Sequence, residues 1–148
     1  MIKVFVSKVK IILLAGIICL ICLPSIGLAD NQFGVIPFAS KYISSYSVEI
    51  EAKENGQVEI YAELFTIKRV DKLGFEYIKI QKYENGIWKT LETINEDVYR
   101  YNSTTASYLS TYQGKTGETY RALVKFYAGD GSGSDTRIGY SNSVTAKR

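Results

Sequence analysis

Two aspartates bracket a glycine- and serine-rich stretch near the C-terminus, Gly129-Asp130-Gly131-Ser132-Gly133-Ser134-Asp135. Acids spaced through such a turn can offer oxygen ligands to calcium without backbone strain, although two carboxylates are few for an ion that takes about six to eight ligands. Asp130, Ser132 and Asp135 are therefore candidate binding residues. The plainer reading is a flexible hairpin tip kept soluble by Ser and Asp, and neither a metal nor a cofactor is assigned. The second candidate set is aromatic. All 12 tyrosines lie from Tyr42 onward, and Tyr suits a surface that must be apolar and hydrogen-bonding together. Tyr99 and Tyr101, in the polar stretch 95–106, are the leading candidates for such a surface, and Tyr61, Tyr127 and Tyr140 are also expected to be exposed. Against this stands the ordinary role of aromatic residues as good strand formers that fill small sandwiches.

Other chemistries are excluded by composition. The chain has no histidine, and its two cysteines, Cys19 and Cys22, both lie in an N-terminal apolar run. Once that run is removed, Ser-His-Asp and Cys-His nucleophilic arrangements and a zinc site of His and Cys ligands are all impossible. Carboxylate chemistry survives, because a glycosidase needs two acids flanking a groove at roughly 5 to 9.5 Å. Yet Glu49, Glu51, Glu59 and Glu63 alternate with apolar positions, as solvent-facing strand residues do. No catalytic residue is assigned, and the expectation is a protein that is not an enzyme.

The N-terminus reads as a targeting segment. Lys3, Lys8 and Lys10 precede an unbroken apolar run at residues 11–23, Pro24 ends it, and Gly27-Leu28-Ala29 puts small residues where a signal peptidase inspects them. Residues 1–29 are therefore expected to be a signal-peptide helix cleaved after Ala29. The run is shorter than the roughly 18 residues of a membrane span, and Ile18 and Ile21 precede the cysteines where lipidation needs a small residue. The expected location is extracellular, with the membrane met only during export.

Removal of this segment takes three of the 18 Lys and Arg and none of the 15 Asp and Glu, leaving fifteen of each sign. The basic pI belongs to the targeting peptide, so the remaining domain is not expected to bind nucleic acid or an acidic membrane, which calls for clustered basic residues. About 119 residues without cysteine remain. A globule of that size buries roughly two thirds of its unfolded surface and needs no covalent staple.

Residues 30–39 are read as a leader containing Pro37, and residues 40–148 as one domain. Segments rich in Tyr, Ile, Val and Thr recur there at roughly ten-residue spacing, which is the all-β signature of a sandwich or barrel. The expected strands are 47–53, 57–67, 75–83, 87–94, 107–112, 119–128 and 135–145, about seven in all. Asn55-Gly56 and Asn85-Gly86 mark tight hairpins, since Asn-Gly supplies the positive φ that such turns demand. Residues 68–74 are expected to be a polar connection, residues 95–106 a short edge strand or a long crossing loop, and residues 129–134 a flexible loop. Trp88 is expected to cover the sheet or the sandwich rim.

The pattern resembles the immunoglobulin-like and fibronectin type III sandwiches, in which a tyrosine corner stands at the start of a late strand; Tyr120 looks like its counterpart. Asp71-Lys72-Leu73-Gly74, Ile78-Lys79-Ile80-Gln81 with Trp88 downstream, Tyr112-Gln113-Gly114, Tyr120-Arg121-Ala122, Phe126-Tyr127-Ala128-Gly129 and Gly133-Ser134-Asp135-Thr136-Arg137 also resemble recurring elements of a family of small proteins secreted by Gram-positive bacteria, a domain of unknown function. That likeness covers nearly all of residues 40–145. It implies export, a single antiparallel sandwich and no catalytic residues. The functional expectation is a secreted recognition module for an extracellular protein or glycan, monomeric or weakly self-associating. A toxin-like antimicrobial effector, a structural surface-layer component and a carboxylate glycosidase are the alternatives.

Overall fold

Two Asn-Gly steps frame the architecture. Asn55 and Gly56 take φ of 56° and 77°, and Asn85 and Gly86 take 53° and 83°, the paired positive values of a two-residue hairpin turn that follows the twist of its strands. The first joins β1 (Ile43–Ala52) to β2 (Gln57–Glu84), and the second joins β2 to β3 (Ile87–Gln113). Three further strands follow, β4 (Thr119–Asp130), β5 (Gly133–Tyr140) and the short β6 (Val144–Thr145). These elements belong to a computed structural model that describes residues 40–148. The expected signal peptide, residues 1–29, and the leader, residues 30–39, lie outside the described residues.

Every strand pairing is antiparallel, and the described residues are all-β. β2 and β3 form one long hairpin that is bent over on itself. Residues 57–65 of β2 lie between β1 and residues 105–113 of β3, whereas residues 72–82 lie between β4 and the first half of β3. The result is two leaves, β1-β2-β3 and β3-β2-β4-β5, connected through the bend, so that the sheet curls into a half-barrel consistent with a β-sandwich. Strands that switch leaves at a bend are an ordinary way to turn a sandwich corner.

Alternation puts apolar residues of both leaves into one interior. Val58, Ile60, Ala62 and Leu64 from the first leaf and Ile78, Ile80, Ala122, Val124, Phe126 and Ala128 from the second are all fully buried. Phe126 bridges the leaves, its ring lying 4.8 Å from Tyr46 of β1 and 5.6 Å from Phe75. Burying a side chain of this kind contributes about 1.5–3 kcal/mol, which is how a domain without disulfides holds together.

Tyr120 stands at the start of β4 and closes a corner onto the residues just before it. It is buried, and its hydroxyl accepts the Lys115 amide at 2.9 Å while donating to Glu118 at 3.0 Å. Nearby, the Gly56 amide donates to the Lys147 carbonyl at 2.7 Å and the Ala146 amide to the Glu118 carbonyl at 3.0 Å, tying the last residues to this end.

Several expectations are corrected. The seven expected strand segments are present, but residues 68–74 are not a connection outside the sheet, and of the two alternatives for residues 95–106 it is the edge strand that forms: the ladder continues through Val70↔Ser103 and Lys72↔Tyr101. These stretches are polar because they cross the rim. Their hydrogen bonds are supplied locally, with Thr66 Oγ1 donating to the carbonyls of Lys68 and Thr104 at 2.8 and 3.1 Å, and Arg69 donating to the Asn102 carbonyl. Residues 129–134 are not a flexible loop either, since β4 runs to Asp130 and β5 starts at Gly133 around a tight turn. The final strand is broken at residues 141–143, where Ser141 Oγ takes the Ala122 amide at 2.8 Å in place of a ladder bond. The first strand starts at Ile43 rather than Ser47.

Candidate functional site

The register assigns the solvent-facing side of the four-stranded leaf residue by residue. Across β3, β2, β4 and β5 its rows read Thr93, Lys79, Leu123, Tyr140; then Glu96, Tyr77, Lys125, Ile138; then Tyr99, Gly74, Tyr127, Thr136. Tyr83 paired with Trp88 extends the face at one end, and Lys72 paired with Tyr101 extends it at the other. Seven aromatic residues thus share one face with Lys72, Lys79, Arg121 and Lys125.

The cations rest on the rings. The Arg121 guanidinium carbon lies 4.4 Å from the ring centroids of both Trp88 and Tyr140, so the side chain spans from β4 to β3 on one side and to β5 on the other. Its Nε donates to Gln81 Oε1 at 2.8 Å, and Gln81 Nε2 donates to Thr90 Oγ1 at 3.0 Å, fixing the guanidinium across three strands. Burial pushes the Arg121 pKa down, but an arginine remains charged in proteins. Lys72 Nζ lies 3.6 Å from the Tyr99 centroid and 5.5 Å from that of Tyr127, and Lys79 Nζ lies 4.4 Å from that of Tyr77. Such contacts are worth about 0.5–2 kcal/mol each. Among the described residues no carboxylate pairs with Lys72, Lys79 or Arg121, whereas Lys125 is neutralised by Glu76 at 2.5 Å.

Tyr99 and Tyr101 both lie on this face. Tyr101 is 70% exposed. Tyr99 is half-buried, its ring edge-on to Tyr127 at 6.0 Å, and burial together with the Asp97 carboxylate pushes its phenol up to about 12. Tyr127 and Tyr140 are on the face as well. Tyr61 is on the opposite leaf and donates to Glu63. Trp88 points to the outer face, covering the sheet, with its ring tilted against that of Tyr83 at 5.1 Å.

Asp130, Ser132 and Asp135 form a second cluster at the β4–β5 tip, where they have structural tasks. Asp130 Oδ1 accepts the Ser132 hydroxyl at 2.6 Å, the Tyr42 hydroxyl at 2.8 Å and the Ser132 amide at 2.9 Å, and Oδ2 pairs with Lys68 at 3.1 Å. Ser132, then Tyr42 and Lys68, hold the Asp130 carboxyl well below the usual range. Asp135 accepts the Ser40 hydroxyl and the Tyr42 amide, the latter at 2.9 Å. These carboxylates fasten the start of β1 to the hairpin tip, and the Lys68 ammonium already holds a cation's place beside Asp130. Among the described residues no group of three or more acidic, Cys or His side chains is placed to hold a metal ion.

Sequence reasoning missed Lys72, Tyr77, Lys79, Tyr83 and Arg121. The signal was available in principle: aromatic and basic residues at the positions that alternate with the buried ones in 72–83 and 121–127 belong to one exposed face. Compared with known proteins, the chain matches no family model and no curated sequence.

Proposed function

We propose that this protein is a secreted, non-catalytic recognition module that captures an acidic extracellular glycan on the aromatic outer face of its four-stranded leaf. The observation that carries the reading is Arg121 held between Trp88 and Tyr140, together with Lys72 and Lys79 on tyrosine rings, all without carboxylate partners among the described residues. A row of rings across the strands of one leaf matches the flat C–H faces of successive sugars, and phenol and indole edges add hydrogen bonds. A stacked guanidinium keeps outward-facing N–H donors for a carboxylate. With Nε occupied by Gln81, the two Nη atoms of Arg121 serve that purpose.

The lysine-flanked apolar run of residues 1–29 supports export. The absence of histidine from the whole chain and of cysteine after residue 29 supports binding over catalysis. Affinity electrophoresis through gels containing an acidic or a neutral polysaccharide tests the proposal. Retardation confined to the acidic gel, weakened by salt and reduced at least about tenfold in Trp88→Ala, is the expected result. Equal mobility in all gels, or unchanged retardation of Trp88→Ala and Tyr140→Ala, overturns it.

A further inference from the structure

Among the described residues β3 pairs only with β2, so no described strand covers its outer edge. The two halves of that edge are built differently. Residues 87–100 carry Lys89, Glu92, Glu96, Asp97 and Arg100, and the register against β2 shifts twice. Charges and irregularities of this kind keep an edge from pairing with another chain. Residues 101–113, Tyr-Asn-Ser-Thr-Thr-Ala-Ser-Tyr-Leu-Ser-Thr-Tyr-Gln, contain no charge, proline or glycine. From Thr105 to Gln113 the register is unbroken.

Backbone direction follows from two neighbouring bonds. The Gly114 amide donates to the Gly56 carbonyl at 3.0 Å and the Lys53 amide to the Gln57 carbonyl at 2.8 Å. In an antiparallel ladder the bonding side alternates, so 106, 108, 110 and 112 bond to β2, and the amides and carbonyls of Ser107, Leu109, Thr111 and Gln113 point away from the sheet. Thr105, on the same side, is already satisfied by Ser103 Oγ. The strand is held rigid from inside, with Tyr108 6.1 Å from Phe75 and Tyr112 5.6 Å from Tyr120. Leu109 points outward and is 62% exposed.

We infer that this half-edge is a self-association site, where residues 105–113 of two copies pair antiparallel about a two-fold axis at Leu109 and join two three-stranded leaves into one of six. Centring on Leu109 sets Ser107 opposite Thr111 of the second copy, so outward-facing backbone groups meet each other and no charge meets a charge. The same register brings the two exposed leucines together. A second copy fits this edge because the neutral segment is complementary to itself, and the guarded half of β3 stops the pairing from extending.

Sedimentation velocity over a concentration series tests this, using the wild-type protein, Leu109→Lys, Leu109→Glu and an equimolar mixture of the two variants. Because Leu109 is exposed, both variants are expected to fold, which thermal unfolding verifies. The wild type should dimerise, with amide exchange at Ser107, Leu109 and Thr111 slowing as concentration rises. Each variant alone places like charges opposite each other and should raise the dissociation constant by roughly tenfold or more, while the mixture should restore the dimer. A wild type that stays monomeric overturns the proposal, with fast exchange at these amides meaning an uncovered edge and slow exchange an edge covered by the chain itself. Variants that dimerise as the wild type does also overturn it.

Discussion

The hydroxyl of Tyr42 donates to Asp130 Oδ1 at 2.8 Å, and the Tyr42 amide donates to Asp135 Oδ2 at 2.9 Å. One residue at the start of β1 therefore engages both carboxylates of the β4–β5 tip. Hydrogen bonds from Ser132 and Ser40, respectively, are the largest cause of the lowered Asp130 and Asp135 pKa values. A carboxyl whose folded pKa is depressed stabilises the fold above its unfolded value, about 3.9, and that contribution disappears as pH falls through the folded value. Thermal melts of wild type and Asp130→Asn should differ by a constant amount above about pH 5, and the gap should narrow steadily as the pH is lowered below about 4. A gap that widens in acid contradicts the assignment.

Removing only the Tyr42 hydroxyl takes away its bond to Asp130 and its 2.9 Å contact with Ser132 Oγ while leaving the Tyr42 amide on Asp135. The ring is fully buried, so Tyr42→Phe keeps the packing and leaves Asp130 with one donor fewer. A hydrogen bond to a charged group is worth about 1.5–3 kcal/mol, and the remaining Ser132 and Lys68 contacts soften the loss. Urea unfolding should show destabilisation of about 1–2 kcal/mol with an unchanged m-value, and retention in acidic-glycan gels should not change.

Much of the fold was legible because burial alternates cleanly wherever a strand has one dry face. Positions 58–64 and 120–128 show this, and both Asn-Gly turns stand where the sequence places them. What was not legible is that β2 and β3 stay extended through the corner, the ladder shifting register after Phe65 and resuming at Val70↔Ser103. Lys68, Arg69 and Asp71 are exposed there, so composition looks like a loop although the backbone remains strand. The run from Lys89 to Thr93 is exposed on both faces of an edge strand, which erases any periodic signal. The site was half legible: the tyrosines were singled out one by one, but their common face depends on the register between four strands. For residues 129–134 the glycine content masked a turn ordered by Asp130.

Arg121 separates charge from stacking. Arg121→Lys keeps a positive charge on β4 but loses the planar contact with Trp88 and Tyr140 and the Nε bond to Gln81. The two side chains are not equivalent at a stacked, hydrogen-bonded position. Titration calorimetry with an acidic polysaccharide should show Arg121→Lys losing roughly three- to thirtyfold in affinity, with the melting temperature lowered by only a few degrees. Affinity equal to that of the wild type would mean that charge alone suffices.

Tyr99 gives a signature at high pH. Its phenol is raised to about 12 by burial and by the Asp97 carboxylate, against about 10 in an unfolded chain. A raised folded pKa means that the contribution to stability is complete below pH 10 and is lost as pH climbs from 10 toward 12. Ultraviolet titration of tyrosinate should lose its latest-ionising component in Tyr99→Phe. The same variant should show a flatter fall of stability over that interval, and an unaltered late component would assign the shift to another tyrosine.

Gly74 connects the fold to the binding face. It lies on β2 directly between Tyr99 and Tyr127, and with no side chain there the two rings meet edge-on across it. Its φ is +153°, and an added Cβ would come within 2.1 Å of the Val98 carbonyl oxygen and 2.9 Å of the Tyr99 Cα, both backbone atoms that cannot swing aside. Strain at such a φ and overpacking against a paired strand each cost about 1–3 kcal/mol. Gly74→Ala should therefore lose roughly 3 kcal/mol or more and weaken glycan retention, because Tyr99 must move with the β3 backbone. Gly86→Ala is the matched control. Its φ is +83° but nothing lies within 4 Å of the added carbon, so it should cost only about 1 kcal/mol and leave retention intact. If the two alanine variants unfold at the same urea concentration, the close approach of β3 to Gly74 is not what fixes this part of the face.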